Sequence, residues 1–283
     1  MDFWSRRKQV FKTRPVGRKL TGSLNETQAK VSGFNLATMQ KSHVVMIGAG
    51  GIGSHVASAL VRKGIGQLTL IDDDRVELKN CTRQLFSRDD VGAFKSVALA
   101  KRLSREGLFA TTVTSYPRRF QELLEMGVVF PKDALFIGGV DNNPSRLALA
   151  RYAYEHGVSA IHAAVSGDGN SLYVMTQEVN EACWSCAFPQ YVDDRSYPCN
   201  LPGIVDVLQI VAGTIVFAVD TLLGNRHREW NVRHIYLDGG MPDRAQMVGL
   251  RESCRVCGSR RNEKRTMNMT TAVTAGQDFE DVS

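Results

Sequence analysis

Two Cys-x-x-Cys pairs, Cys183/Cys186 and Cys254/Cys257, and a glycine-rich run, Gly48-Ala49-Gly50-Gly51-Ile52-Gly53, are the residues whose types and spacing point most directly to chemistry. Each cysteine pair has the spacing of a zinc knuckle, and two pairs supply the four thiolates of a tetrahedral site. Gly258 stands directly after the last cysteine, where a knuckle turns. Four thiolates leave no open coordination position, so the metal expected here is structural zinc, joining the end of the chain to its middle. A thioredoxin-type redox pair accounts for one Cys-x-x-Cys and leaves the other unexplained.

The glycine run follows an apolar, β-rich segment and precedes a helical one. Glycines in that place let the backbone approach a phosphate, and the helix N-terminus offers free amides. Asp72 ends the next predicted strand, placed to accept hydrogen bonds from a ribose. Taken alone, this pattern says "nucleotide", and NAD is the usual guess. The polar groups downstream argue otherwise. Asn80, Arg83 and Gln84 follow Asp72, Lys95 opens the next helix, Asp141-Asn142 closes a further strand after a Gly138-Gly139 pair, and Arg146 begins another helix. Hydride transfer does not need two cations and a metal-binding acid beside its cofactor. Nucleotidyl transfer does, because cations neutralise a triphosphate and a carboxylate holds Mg²⁺.

The ordered set of Gly-x-Gly-Gly-x-Gly, a strand-ending Asp, Asn-x-x-Arg-Gln, Lys, Asp-Asn-x-x-x-Arg and two Cys-x-x-Cys pairs resembles the ThiF/MoeB and ubiquitin-activating-enzyme superfamily, from about His43 to Cys257. The resemblance implies adenylation by MgATP of the C-terminal glycine of a ubiquitin-like or sulfur-carrier protein. It implies that Gly48, Gly50, Gly51, Gly53, Asp72, Asn80, Arg83, Gln84, Lys95, Asp141, Asn142 and Arg146 line the nucleotide site, with Asp74 a near alternative for the ribose contact. Arg83, Lys95 and Asp141 would then be catalytic, the last as the Mg²⁺ ligand. Family members work as dimers, and in some an N-terminal arginine crosses to the partner's site; Arg6, Arg7 and Arg14 are the candidates here. Cys199, between the first cysteine pair and a long helix, occupies the place of the cysteine that receives the carrier as a thioester or holds a persulfide. A thiol just before a helix N-terminus is activated. Cys81 reads as a packing residue. The rival readings are adenylation of a small molecule or a tRNA base on the same fold, an NAD-dependent oxidoreductase, and a nucleotide sensor without turnover.

The elements that must position these groups alternate. Strands are expected at His43–Ile47, Leu68–Ile71, Ala110–Tyr116, Ala134–Ile137, Ser171–Val179 and Val232–Leu237. Helices are expected at Ser54–Lys63, Ala93–Arg105 and Arg146–His156, and a long one after Pro202. Short links between them predict an α/β fold, a Rossmann-like doubly wound, mostly parallel sheet with a zinc-stapled C-terminal segment. Residues 1–42 read as a basic extension with a weak helical pattern near Glu26–Met39, 43–258 as the adenylation domain, and 259–283 as a disordered tail.

The chain has 283 residues, 43% apolar and 23% charged, with a formal charge of +6. That is an ordinary composition for a globular protein. Basic residues crowd the two ends, which read as solvated termini rather than a nucleic-acid surface. The start lacks the apolar core of a signal peptide, and paired cysteines in a reducing compartment suit metal better than disulfides, so the cytoplasm is expected. The apolar stretch Gly203–Gly224 carries Asp206, Gln209 and Asp220 and reads as a core helix, not a membrane span. No rhodanese-like or ubiquitin-fold extension is recognised after Cys257, so a conjugating enzyme or sulfur donor would be a separate chain.

Overall fold

The computed structural model describes residues 6–191 and 203–258. Cys199 and the expected tail, 259–283, lie outside them. The chain runs β1 (Gln9–Lys12), α1 (Arg18–Asn25), α2 (Leu36–Lys41), β2 (His43–Ile47), α3 (Gly51–Lys63), β3 (Gln67–Ile71), α4 (Lys95–Glu106), β4 (Thr112–Tyr116) and α5 (Phe120–Glu125). It continues through β5 (Leu135–Gly138), α6 (Asn143–His156), β6 (Ala160–Val165), β7 (Ser171–Gln177), α7 (Trp184–Ala187), α8 (Val205–Leu223), β8 (Val232–Tyr236) and β9 (Arg244–Gln246).

The nine strands of the described residues join one sheet in the order β1-β4-β3-β2-β5-β6-β7-β8-β9. From β4 to β6 the pairings are parallel, as β-α-β crossovers require. β1 closes one side antiparallel to β4, and β7, β8 and β9 extend the other side antiparallel. The order reverses between β2 and β5. An open sheet binds ligands at such a switch point, outside the carboxyl ends of its strands.

The central strands are buried on both faces, which is why Val44, Val45, Met46 and Ile47 are all apolar. On one face β2, β3 and β6 pack under α3, α4 and α8; on the other, Phe120, Phe130, Phe136 and Tyr152 form an aromatic cluster under α5 and α6. α8 is the one helix among the described residues long and apolar enough to cross a membrane, but more than half of it is buried in the protein. Val211, Ile215 and Val219 are fully buried, and the helix packs on α3, β6 and β7. Such side chains each contribute roughly 1.5–3 kcal/mol by leaving water.

The sequence-based expectation differs from this fold at several elements. Residues 1–42 are not merely an extension, because β1 is an edge strand of the sheet, with Gln9 opposite Ser115. The helical pattern near Glu26–Met39 is a 3₁₀ turn and the short α2, interrupted by Gly33 at a φ of 74°. β6, α5, α7 and β9 were not anticipated.

Candidate functional site

The loop after β2 is built by its glycines. Gly48 has a φ of 92°, and a Cβ there would lie 2.7 Å from the Gly139 carbonyl oxygen. A Cβ on Gly53 would lie 1.9 Å from the Gly48 oxygen, so any side chain would break the turn. Gly51 faces the end of Leu208 on α8. Gly50 is open by contrast, its nearest neighbour being the Gln84 amide at 3.8 Å. α3 begins there with no side-chain cap and no acidic residue in its first turn, so its amides are left for an anion.

Asp72 is tied to this loop. Its carboxylate accepts from the Ala49 amide at 2.6 Å and from the Asp74 amide at 2.9 Å. Burial pushes its pKa up to about 6 against the opposing pull of the Lys95 charge and the Ala49 amide. Lys95 is itself buried and forms an ion pair with Asp74 at 2.8 Å. Burial alone would lower its pKa, but the charges of Asp72, Asp74 and Asp141 together with the Asp74 hydrogen bond hold it above the ordinary value. Ser96, not anticipated from sequence, donates to the Asp72 carbonyl and fixes the start of α4 against the end of β3.

The segment 80–85 is held over the first turn of α3. The Ser54 hydroxyl accepts from the Leu85 amide, and His55 Nε2 pairs with the Arg83 carbonyl. Asn80 is buried and accepts from the Glu77 amide at 2.8 Å, so its oxygen shapes the loop. The half-buried Arg83 guanidinium has no protein partner among the described residues. Gln84 is buried with its Oε1 unpaired, and its Nε2 is the atom that faces Gly50. Cys81 packs against the core with its thiol directed at the Ser87 carbonyl, as expected of a packing residue.

Beyond β5, Asp141 is exposed and only loosely contacted, by the Asn142 amide at 3.4 Å. A free carboxylate beside Lys95 suits Mg²⁺, a hard cation that takes oxygen ligands. Asn142 caps α6: its oxygen accepts from the Ser145 amide at 2.9 Å, with Pro144 in the first turn. Arg146 is buried, bonds Asn143 Oδ1 at 3.2 Å and leaves its Nε unpaired.

The cysteines converge as the spacing predicts. Cys183, Cys186, Cys254 and Cys257 are all buried, and their sulfurs lie within 4.8 Å of one another. The separations are 3.4 Å for Cys183–Cys254 and Cys186–Cys257 and 3.8 Å for Cys183–Cys186. A tetrahedron with Zn–S bonds of about 2.3 Å has sulfurs about 3.8 Å apart, whereas a disulfide is about 2.05 Å. The donor set therefore fits zinc. The Arg251 amide points at Cys186 Sγ, and Gly258 turns where a Cβ would lie 2.3 Å from the Glu252 oxygen.

The profile of the ThiF family matches residues 25–259. The chain is 28% identical over 222 residues to the sulfur carrier protein ThiS adenylyltransferase of Escherichia coli, covering 77% of this chain and 86% of that one. It is 29% identical over 194 residues to a sulfur carrier protein adenylyltransferase of Thermus thermophilus, covering 66% and 71%. Ubiquitin-like modifier-activating enzyme 5 of Culex quinquefasciatus is 33% identical over 196 residues, covering 62% of this chain and 49% of the enzyme, so the chain spans about half that relative's length. Among solved structures, Escherichia coli MccB with ATP superposes with a TM-score of 0.66 at 23% identity, over 79% of this chain and 68% of that one, a likeness of fold.

Proposed function

Since this chain belongs to the ThiF family of ATP-dependent adenylyltransferases, we propose that its substrate is the C-terminal glycine carboxylate of a ubiquitin-like or sulfur-carrier protein. The observation that carries the reading is the cluster at the end of β3 and the start of α4: the buried Lys95 ammonium pairs with Asp74 at 2.8 Å, and Asp72, which accepts from the Asp74 amide, also holds the Ala49 amide of the glycine loop. Carboxylates and a cation gathered at a switch point suit a polyphosphate and its metal, not a nicotinamide.

In this reading Asp72 accepts from the ribose hydroxyls, with Asp74 beside it. The α3 amides, Asn80, Arg83 and Lys95 contact the phosphates, and Gln84 supports them. Asp141 would hold Mg²⁺, which supplies charge neutralisation on the triphosphate. The carrier carboxylate, ionised near neutral pH, attacks the α-phosphorus; an O–P bond forms, the bond to the β-phosphate oxygen breaks, and pyrophosphate leaves with the electron pair. No general base is needed, and the protein's contribution is positioning and charge stabilisation. Bound ATP displaces Lys95 from Asp74 toward the phosphates.

Cys199, outside the described residues, would then attack the acyl carbon as a thiolate and release AMP, or carry a persulfide for a sulfur carrier. Cys199→Ala is expected to keep ATP–pyrophosphate exchange at the wild-type rate and to lose the thiol-sensitive carrier adduct on a non-reducing gel. A full adduct yield from the variant, or mapping of the adduct to Cys81, would remove Cys199 from the transfer step. In this reading the reaction takes place in the cytoplasm. A second copy of the chain would cover the exposed apolar side of α8, where Ile210 is 44% and Phe217 49% exposed.

The deciding measurement is carrier-dependent ATP–pyrophosphate exchange. Exchange without a carrier points to a small-molecule or tRNA substrate, and NADH binding without exchange to a dehydrogenase. Asp72 adds a pH signature. Its carboxyl must be ionised to hold both loop amides and a ribose, and its pKa is about 6. Burial raises this acid's pKa above its unfolded value, so the ionised form costs more in the fold and is lost as pH falls through about 6. ATP affinity is expected to weaken below that pH in the wild type, and Asp72→Asn to lack that component. Identical pH profiles for the two proteins in calorimetric titrations would remove Asp72 from the ribose contact.

A further inference from the structure

Gln177 ends β7 at a buried junction that the nucleotide chemistry does not use. It is 3% exposed, and one side-chain amide ties four elements together. Its Oε1 accepts from the Trp184 backbone N–H of α7 at 3.2 Å and from His162 Nε2 of β6 at 3.2 Å. Its Nε2 donates to the Ala150 carbonyl, inside α6, at 3.0 Å. These contacts fix the amide's orientation, because only the oxygen can accept and only the nitrogen can donate. They also fix the histidine tautomer: Nε2 carries the proton, and Nδ1 is a bare acceptor with no partner.

The two ends of this junction matter. Trp184 lies inside the first zinc knuckle, directly after Cys183, and its indole N–H is anchored on the Tyr173 hydroxyl at 3.2 Å. α6 is the helix whose first turn carries Arg146 and whose cap, Asn142, follows Asp141. Ala150 is one turn beyond Arg146 and completely buried. Arg146 is buried, and its neighbour Leu147 packs with Ala150 and Tyr173. The cysteine cluster and the start of α6 also share one apolar core, with Leu147, Ala150 and Tyr173 packed alongside Cys183, Trp184 and Cys186.

We propose that Gln177 is a positioning residue that locks α6, and with it Asp141 and Arg146, to the Cys183–Cys186 knuckle, so that the metal-binding end of the protein sets the geometry of the adenylation site. The proposal rests on the adenylation reading given above. The physical basis is that a buried side chain with all its hydrogen bonds made has one allowed position, and each partner it loses leaves an unpaired buried polar group. The knuckle is rigid when its four sulfurs are held. Gln177 on β7 carries that rigidity to α6 through a short path of two hydrogen bonds, Trp184 N–H to Oε1 and Nε2 to the Ala150 carbonyl. The ribose side of the site, built on Asp72 and β3, is outside this path.

The test compares Gln177→Leu and Gln177→Glu with the wild type in the full-length protein. Gln177→Leu removes all three bonds. It is expected to lower kcat for carrier-dependent exchange at least about tenfold, the scale of leaving buried donors unpaired, with KM for ATP within about twofold and the metal content unchanged. Amide hydrogen exchange in the first turn of α6 should speed up while α3 and β3 keep their protection. Gln177→Glu keeps acceptor oxygens for Trp184 and His162 and loses only the donor to Ala150, so its kcat should fall between the other two; if the leucine variant does not fold, this variant decides. Wild-type kcat and α6 protection overturn the proposal. So does loss of metal and of ATP binding together with kcat, which marks a residue needed for the whole fold. Should the wild type show no carrier-dependent exchange, the adenylation reading fails, and the α6 protection of the two variants still reports whether the junction couples.

Discussion

Lys95→Ala is expected to lower carrier-dependent ATP–pyrophosphate exchange by about two to three orders of magnitude without unfolding the protein. Removing one preorganised donor to a developing negative charge costs roughly 3–4 kcal/mol at the transition state. Lys95 suits that role because three carboxylates hold it charged in a buried setting, and its backbone is fixed by the Asp74 carbonyl at 2.8 Å. The effect should fall mainly on kcat, since pyrophosphate carries more charge as it leaves than ATP carries when bound. Arg83→Ala should behave similarly, because among the described residues its guanidinium has no protein partner and its support is through its backbone. The fold should tolerate both changes. Asp74, left behind by Lys95→Ala, is exposed and loses little by regaining water. Exchange at the wild-type rate in both variants, with thermal melting unchanged, would falsify the site as drawn.

The part of this site that was legible in the sequence is the part encoded by local backbone demands. A strand, a turn that only glycine can make, a helix and a strand-ending acid are each specified by neighbouring residues, and β2, α3 and β3 follow that pattern. The cysteine pairs were legible for the same reason, since each knuckle is a four-residue unit. Elements that depend on distant partners were not. β1 is four residues, Gln-Val-Phe-Lys, in a basic run, and only pairing with β4 a hundred residues on makes it a strand. β6, Ala-Ile-His-Ala-Ala-Val, lacks both alternation and a β-rich composition, and takes its form from parallel β5 and antiparallel β7. Asn142 carries a further local signal: an Asn shortly before Pro144 is a helix cap by its own chemistry. Gln177 had no local signal at all, because what makes it important is four elements meeting at one amide.

Cys254→Ser is expected to lose the metal and destabilise the protein more than any substitution at the nucleotide site. Freshly purified, reduced wild type should hold about one zinc per chain on Cys183, Cys186, Cys254 and Cys257. Binding of this kind contributes on the order of 10 kcal/mol to folding, comparable with the whole stability of an ordinary domain. The cost should concentrate in one region. All four cysteines share a core with Tyr173, Trp184 and Phe188, but among the described residues Cys254 and Cys257 lie on a stretch after β9 that has no helix or strand of its own. Without the metal that segment retains few anchors, chiefly the Asn231 side chain, which bonds the Val248 N–H and carbonyl at 2.7 and 2.9 Å. Limited proteolysis should therefore cut the variant first between 249 and 258, before any site in β2–β6. Chelation of the wild type should produce the same pattern, and re-addition of zinc should reverse it in the wild type only. Metal analysis finding no zinc in reduced wild-type protein, or a Cys254→Ser variant with wild-type melting and proteolysis, counts decisively against a zinc staple and leaves the four buried thiols without a ligand to explain their approach to 3.4 Å.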